Sequence, residues 1–148
     1  MREKLPRIEQ VTALPGMKLS LRFNDGWETT ADLNNFTTDF PSLAQLTDPM
    51  RFASPALEEF GSGVTWDNEG PLSIAASTLY RLASEQDGSD RRCFEAWMLR
   101  HGLSNAKAAE ALGMTRRSII SYRTGSRPIP KTVLLACLGW STQQQQAA

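Results

Sequence analysis

Polar and apolar residues alternate strictly over Lys18-Leu19-Ser20-Leu21-Arg22-Phe23, the period of a half-buried strand. Asn24-Asp25-Gly26 follows as a tight turn, because glycine readily takes the positive φ that such turns demand. Trp27 to Leu33 then reads as the returning strand of a hairpin. Upstream, Ile8, Val11 and Leu14 are the apolar positions of a mixed segment that Pro15-Gly16 closes with a turn. From Phe36 to Phe60 the prolines Pro41, Pro49 and Pro55 interrupt the apolar positions, so short helical turns or loops are expected. Val64-Thr65-Trp66 reads as a further strand, ended by Gly70-Pro71, and Ser73 is expected to open a helix through Ile74, Leu79 and Leu82. These elements predict a small α+β unit over residues 1–85.

The pattern changes after Ser89. Phe94, Trp97 and Met98 fall at i, i+3 and i+4, one face of a helix that starts near Asp90 and ends at His101-Gly102. Ser104 can cap an alanine-rich helix over Asn105 to Leu112, closed by Gly113. Thr115 can cap a third, Arg116 to about Thr124, with Ile119 and Tyr122 inward and Gly125 as its stop. Ile129-Pro130 opens a fourth, with Val133, Leu134 and Leu138 as its core face. The closing Gln143 to Gln146 stretch in residues 141–148 reads as a disordered glutamine-rich tail. The fold class expected is α+β: an N-terminal α+β domain with a β-hairpin, then an all-α domain over residues 90–140.

Charge sharpens this division. The 148 residues carry 16 basic and 16 acidic side chains, a formal net of zero. Residues 1–89 hold 7 basic and 13 acidic side chains, whereas residues 90–148 hold 9 and 3. The neutral sum is a cancellation, and it suggests two modules with different partners. No apolar run reaches the roughly 18 residues of a membrane helix, so no membrane partner is expected. The charged opening MREKLPRIEQ lacks the apolar stretch of a signal peptide, and a cytoplasmic location is expected. Cys93 and Cys137 are too few and too far apart for a disulfide framework or a zinc knuckle, and read as core hydrophobes or inert thiols.

Chemistry is scarce. Asp25, Asp32, Asp39, Asp48, Asp67, Glu58 and Glu59 supply carboxylates, but none has a catalytic spacing to His or Cys, and Asp25 and Asp48 read as turn formers. Trp27 and Trp66 read as strand core, with an exposed ligand patch as the alternative. The single histidine, His101, reads as a helix-end residue favourable to the dipole. The expectation is therefore not an enzyme, with no catalytic residues, no metal ligands and no cofactor.

Two resemblances add to this reading. Val11-x-x-Leu14-Pro15, Leu19-x-Leu21-x-Phe23-x-Asp25-Gly26, Asp32-Leu33, Leu46-x-Asp48-Pro49, Phe52 and Val64-x-Trp66-Asp67 resemble a bacterial domain-of-unknown-function family over roughly residues 5–84. Members stand alone or are fused to a DNA-binding domain. The resemblance implies a regulatory or partner-binding module, one candidate partner being a toxin-like protein. In the basic half, Ala109, Leu112-Gly113, Thr115, Ile119 and Gly125 have the spacing of two short helices joined by a tight turn. Residues 92–140 resemble the λ-repressor-like (Cro/XRE) helix-turn-helix family.

That second resemblance implies double-stranded DNA as partner, with residues 116–124 as the recognition helix in the major groove. Arg116, Arg117 and Ser121 match base-contacting positions, and arginine can pair with O6 and N7 of guanine. Asn105, Ser126 and Arg127 match phosphate-contacting positions, with Lys107, Ser118 and Arg123 as further backbone contacts. An isolated arginine pair would be only a solvated face; here it opens a capped helix. Arg123 departs from the family, where many relatives have an acidic residue. The fifth helix common in the family has only Ser141 to Ala148 left to form it, which leaves a homodimer open. The resulting reading is a two-domain bacterial transcriptional regulator whose acidic domain docks a protein, senses a small ligand or joins two protomers. The alternative is an antitoxin-like binder that uses DNA binding for autoregulation.

Overall fold

Leu19, Leu21 and Phe23 are fully buried while Lys18 and Arg22 are exposed and Ser20 is half-buried, as alternation on a pleated strand requires. In the computed structural model, which describes residues 5–67 and 72–147, this strand is the centre of a three-stranded antiparallel sheet. Its order is β1 (Ile8–Leu14), β2 (Lys18–Phe23), β3 (Glu28–Asp32). The hairpin turn is held by Asp25, whose carboxylate accepts from the Trp27 backbone N–H at 2.9 Å. The sequence did not mark β1 as a strand. A register shift between Ile8 and Gln10 breaks its alternation.

After β3 come α1 (Asn34–Asp39), a 3-10 turn over Pro41–Thr47, and the single helical turn α2 (Pro49–Phe52), which Asp48 caps through Met50 N–H. A second antiparallel sheet follows, ordered β4 (Ala56–Leu57), β5 (Gly63–Thr65), β6 (Ser73–Ala75). Ser73 therefore does not open a helix. Ser73 and Ile74 pair with Thr65 and Val64, and helix α3 (Ala76–Asp87) begins only at Ala76. The turn expected at Gly70-Pro71 lies outside the described residues. Helix α3 buries Leu79, Tyr80 and Ala83, and the Tyr80 ring lies 4.8 Å from Phe23 and 5.1 Å from Trp27. The Gln86 amide accepts from Asp32 N–H and donates to Asp32 C=O, each at 2.8 Å, so it satisfies part of the open edge of β3. Trp27 and Trp66 are half-buried packing residues: Trp27 stacks on Phe23, and Trp66 stacks on Phe52 and donates to its carbonyl.

The chain divides into two compact units, Met1–Gln86 and Asp87–Ala148. The second contains α4 (Asp90–Arg100), α5 (Asn105–Leu112), α6 (Arg116–Thr124) and α7 (Lys131–Ala147). Each start has a reason in side-chain chemistry. Ser89, Ser104 and Thr115 accept from the backbone N–H groups of Arg92, Lys107 and Ser118, donors that the first helical turn leaves orphaned. The core is one cluster: Phe94, Trp97 and Met98 from α4, Ala108 and Ala109 from α5, Ile119 and Tyr122 from α6, and Ile129, Val133 and Cys137 at and within α7.

Two expectations for α7 need correction. Leu138 is 66% exposed, because the inward stripe runs through Val133 and Cys137 at i and i+4, with Leu134 and Trp140 packed beside it. The glutamine tail is not disordered: α7 continues through Gln146 to Ala147. Gln and Ala are good helix formers, and no proline interrupts the run, so an established helix propagates through them. Cys137 is inside and Cys93 exposed, so only Cys137 is a core residue. Burial pushes the Cys137 thiol up to about 12, which keeps it protonated and inert.

His101 is the C-cap residue of α4, at the helix end as expected. Its Nε2 lies 2.8 Å from Ser141 Oγ, and its ring packs edge-on against Trp140 at 4.9 Å. Burial, then the adjacent Arg100 charge, hold its pKa below the ordinary value. The unfolded chain therefore takes up this proton before the folded one does. Stability should be constant above about pH 6.5 and decline as pH falls through the range just below it. Thermal melts from pH 7.5 to pH 5 would show this decline, and His101→Gln should flatten it. An equally steep decline in the variant would assign the effect to other groups.

Candidate nucleic-acid interface

The turn between α5 and α6 sets the direction of α6. Gly113 has φ 66° and ψ 37°, a left-handed conformation that a side chain resists. Its N–H donates to Glu110 C=O, and Met114 N–H donates to Ala109 C=O at 2.8 Å. This pairing satisfies the last carbonyls of α5 and forces the chain to reverse. Ala108 and Ala109 are buried, and their small side chains let other elements of the core approach closely.

Helix α6 then shows two faces. Ile119 and Tyr122 point into the core. Arg116, Arg117, Ile120 and Thr124 are exposed, with Ser121 half-buried at the border. Among the described residues, Arg116 and Arg117 make no ion pair. The first turn of α6 has no acidic residue. Cations there oppose the positive end of the helix dipole, so the arrangement costs some stability and concentrates positive potential at one exposed place. A phosphate or the acceptor edge of a base would offset both effects.

The remaining residues singled out from the sequence fall into three groups. Lys107, Ser126 and Arg127 are exposed; Arg127 lies with its guanidinium 5.7 Å from the centroid of the Tyr122 ring, and Ser126 Oγ is 2.9 Å from Thr124 Oγ1. Ser118 is half-buried inside the cap, where its hydroxyl accepts from Thr115 at 3.0 Å. Asn105 is half-buried at the start of α5, and its Oδ1 accepts from Arg123 Nη1 at 2.7 Å.

Arg123 requires a correction. Its guanidinium does not reach outward for phosphate. Nε donates to Glu95 Oε1 at 2.7 Å and Nη2 to Glu95 Oε2 at 3.2 Å, a bidentate pair linking α6 to α4. Glu95 is buried, 8% exposed. A buried carboxylate needs a cation, and Arg123 supplies it; the acidic member of the pair sits on α4 instead of α6. Arg123 is a positioning residue. Three residues bearing on the interface were not singled out from the sequence: Glu95, Arg91, whose Nε donates to the Arg123 carbonyl at 2.6 Å, and Ile120. Only Ile120 was visible in principle, by projecting the helix; the other two depend on pairings 28 and 32 residues apart.

Comparison with known proteins is consistent with this arrangement at a coarse level. The family model described as protein of unknown function DUF2442 matches residues 8–85. A crystal structure of a "putative DNA binding protein" from Nitrosomonas europaea is 36% identical, covers 95% of this chain and 90% of its own, and superposes with a TM-score of 0.65. No curated protein matches the chain. Among the described residues, no helix is long and apolar enough to cross a membrane.

Proposed function

The chain belongs to the DUF2442 family of proteins of unknown function, and from that footing we propose that it is a sequence-specific duplex-DNA-binding transcriptional regulator. In this reading α4–α7 form a λ-repressor-like helix-turn-helix domain, with α6 lying in the major groove. One observation carries the reading: Arg116 and Arg117 are exposed on the first turn of a capped helix whose opposite face is buried. The Nitrosomonas relative supports it by its description. Arg116, Arg117 and Ser121 read base edges; Asn105, Lys107, Ser118, Ser126 and Arg127 hold the phosphate backbone. No catalytic step is assigned to the chain, and its place of action is the cytoplasm.

The α+β unit is the regulatory half: it binds a partner protein or small ligand, or joins two protomers. Recognition by one four-helix module engages a small surface, so a homodimer on a two-fold site fits tight specific binding best.

Selection from a randomised duplex pool, repeated at several salt concentrations, tests the reading. A guanine-containing consensus should enrich, and log affinity should fall linearly with log salt. A pool from which no sequence emerges would refute sequence-specific reading.

A further inference from the structure

The exposed face of α6 contains one large apolar residue, Ile120, which is 41% exposed. Single exposed apolar residues are ordinary on protein surfaces, so its position decides its meaning. At about 100° per residue, Ile120 lies roughly 40° round the helix from Arg116 and 60° from Arg117, between the two. Thr124 falls in the same arc and Ser121 about 40° beyond Arg117. A surface laid along this face of α6 that meets both arginines also meets Ile120.

Resting on the DNA reading above, we infer that Ile120 recognises the 5-methyl group of a thymine next to the guanine read by Arg116 or Arg117. In the major groove the base edges offer hydrogen-bond donors and acceptors and one protruding apolar group, the thymine methyl. A branched aliphatic side chain can satisfy no donor or acceptor. Placed against them it strips their water without replacement, whereas against a methyl group both apolar surfaces leave water. Ile120 is one helical turn beyond the arginines, about 4.5–6 Å along the axis. That distance spans fewer than two base-pair steps of about 3.4 Å each.

The test uses the full chain and its selected duplex, with each thymine replaced in turn by deoxyuridine, which differs only by the methyl group. One such replacement should weaken binding by about fourfold, the effect of one buried methylene-sized group. Ile120→Ala should bind thymine and uracil duplexes equally, while Ile120→Val keeps a reduced preference for thymine. If no sequence enriches from the pool, the DNA reading falls and this inference with it. If a site enriches but contains no methyl-sensitive thymine, or if Ile120→Ala discriminates as well as the parent, the inference alone is overturned.

Discussion

The double replacement Arg116→Ala/Arg117→Ala is expected to remove most of the discrimination between duplex sequences while leaving the fold intact. Both side chains are exposed and unpaired among the described residues, so their removal opens no cavity and strands no buried partner. Alanine is the better helix former, and two cations leave the positive end of the α6 dipole. The melting temperature should hold or rise slightly. Each bidentate arginine–guanine contact is worth about 1–3 kcal/mol of discrimination, so losing two removes a preference of roughly 30-fold to 10^4-fold. The competing outcome is specific. If both arginines touch phosphates instead, all sequences weaken together and the slope of log affinity against log salt falls by about 2. Binding isotherms on the selected and a scrambled duplex, at three salt concentrations, separate the two. Selectivity retained in the double variant would refute base reading by these residues.

Why α6 could be placed from the sequence, while parts of the rest could not, follows from the range of the interactions involved. Its boundaries depend on neighbours: Thr115 caps three residues ahead, and Gly113 and Gly125 take φ values that other residues avoid. The β2–β3 hairpin is legible for the same reason, since alternation and the Asp25-Gly26 turn are local. The strand at Ser73–Ala75 is three residues long, too short to display a period, and it exists only because Val64 and Thr65 offer it partners. The error at Leu138 is of another kind. Leucine by type suggests interior, but the geometry of α7 points Cys137 inward and leaves Leu138 in solvent. Ile120 shows the same fact from the functional side: its residue type hides its placement.

Arg123 is the case where a long-range pairing changes a functional assignment, and it yields the second large expected effect. Glu95→Ala should destabilise the helical unit by about 2–3 kcal/mol. Removing one member of a buried pair typically costs 3–5 kcal/mol, about, because the other charge is left in low dielectric; here Arg123 is 23% exposed and keeps Asn105 Oδ1, which reduces the cost. Replacing both, Glu95→Met/Arg123→Met, should recover much of that loss, since neither desolvation cost then remains. Denaturant titrations of the two single variants and the double variant measure the coupling directly. The same set decides what Arg123 does in binding. As a positioning residue it contributes no phosphate contact, so Arg123→Met in the Glu95→Met background should leave the salt slope unchanged. Arg127→Ala should reduce that slope by about 1. A slope reduced by Arg123→Met, together with no stability loss in Glu95→Ala, would return Arg123 to the phosphate contacts and remove the α4–α6 link from the account of how α6 is held.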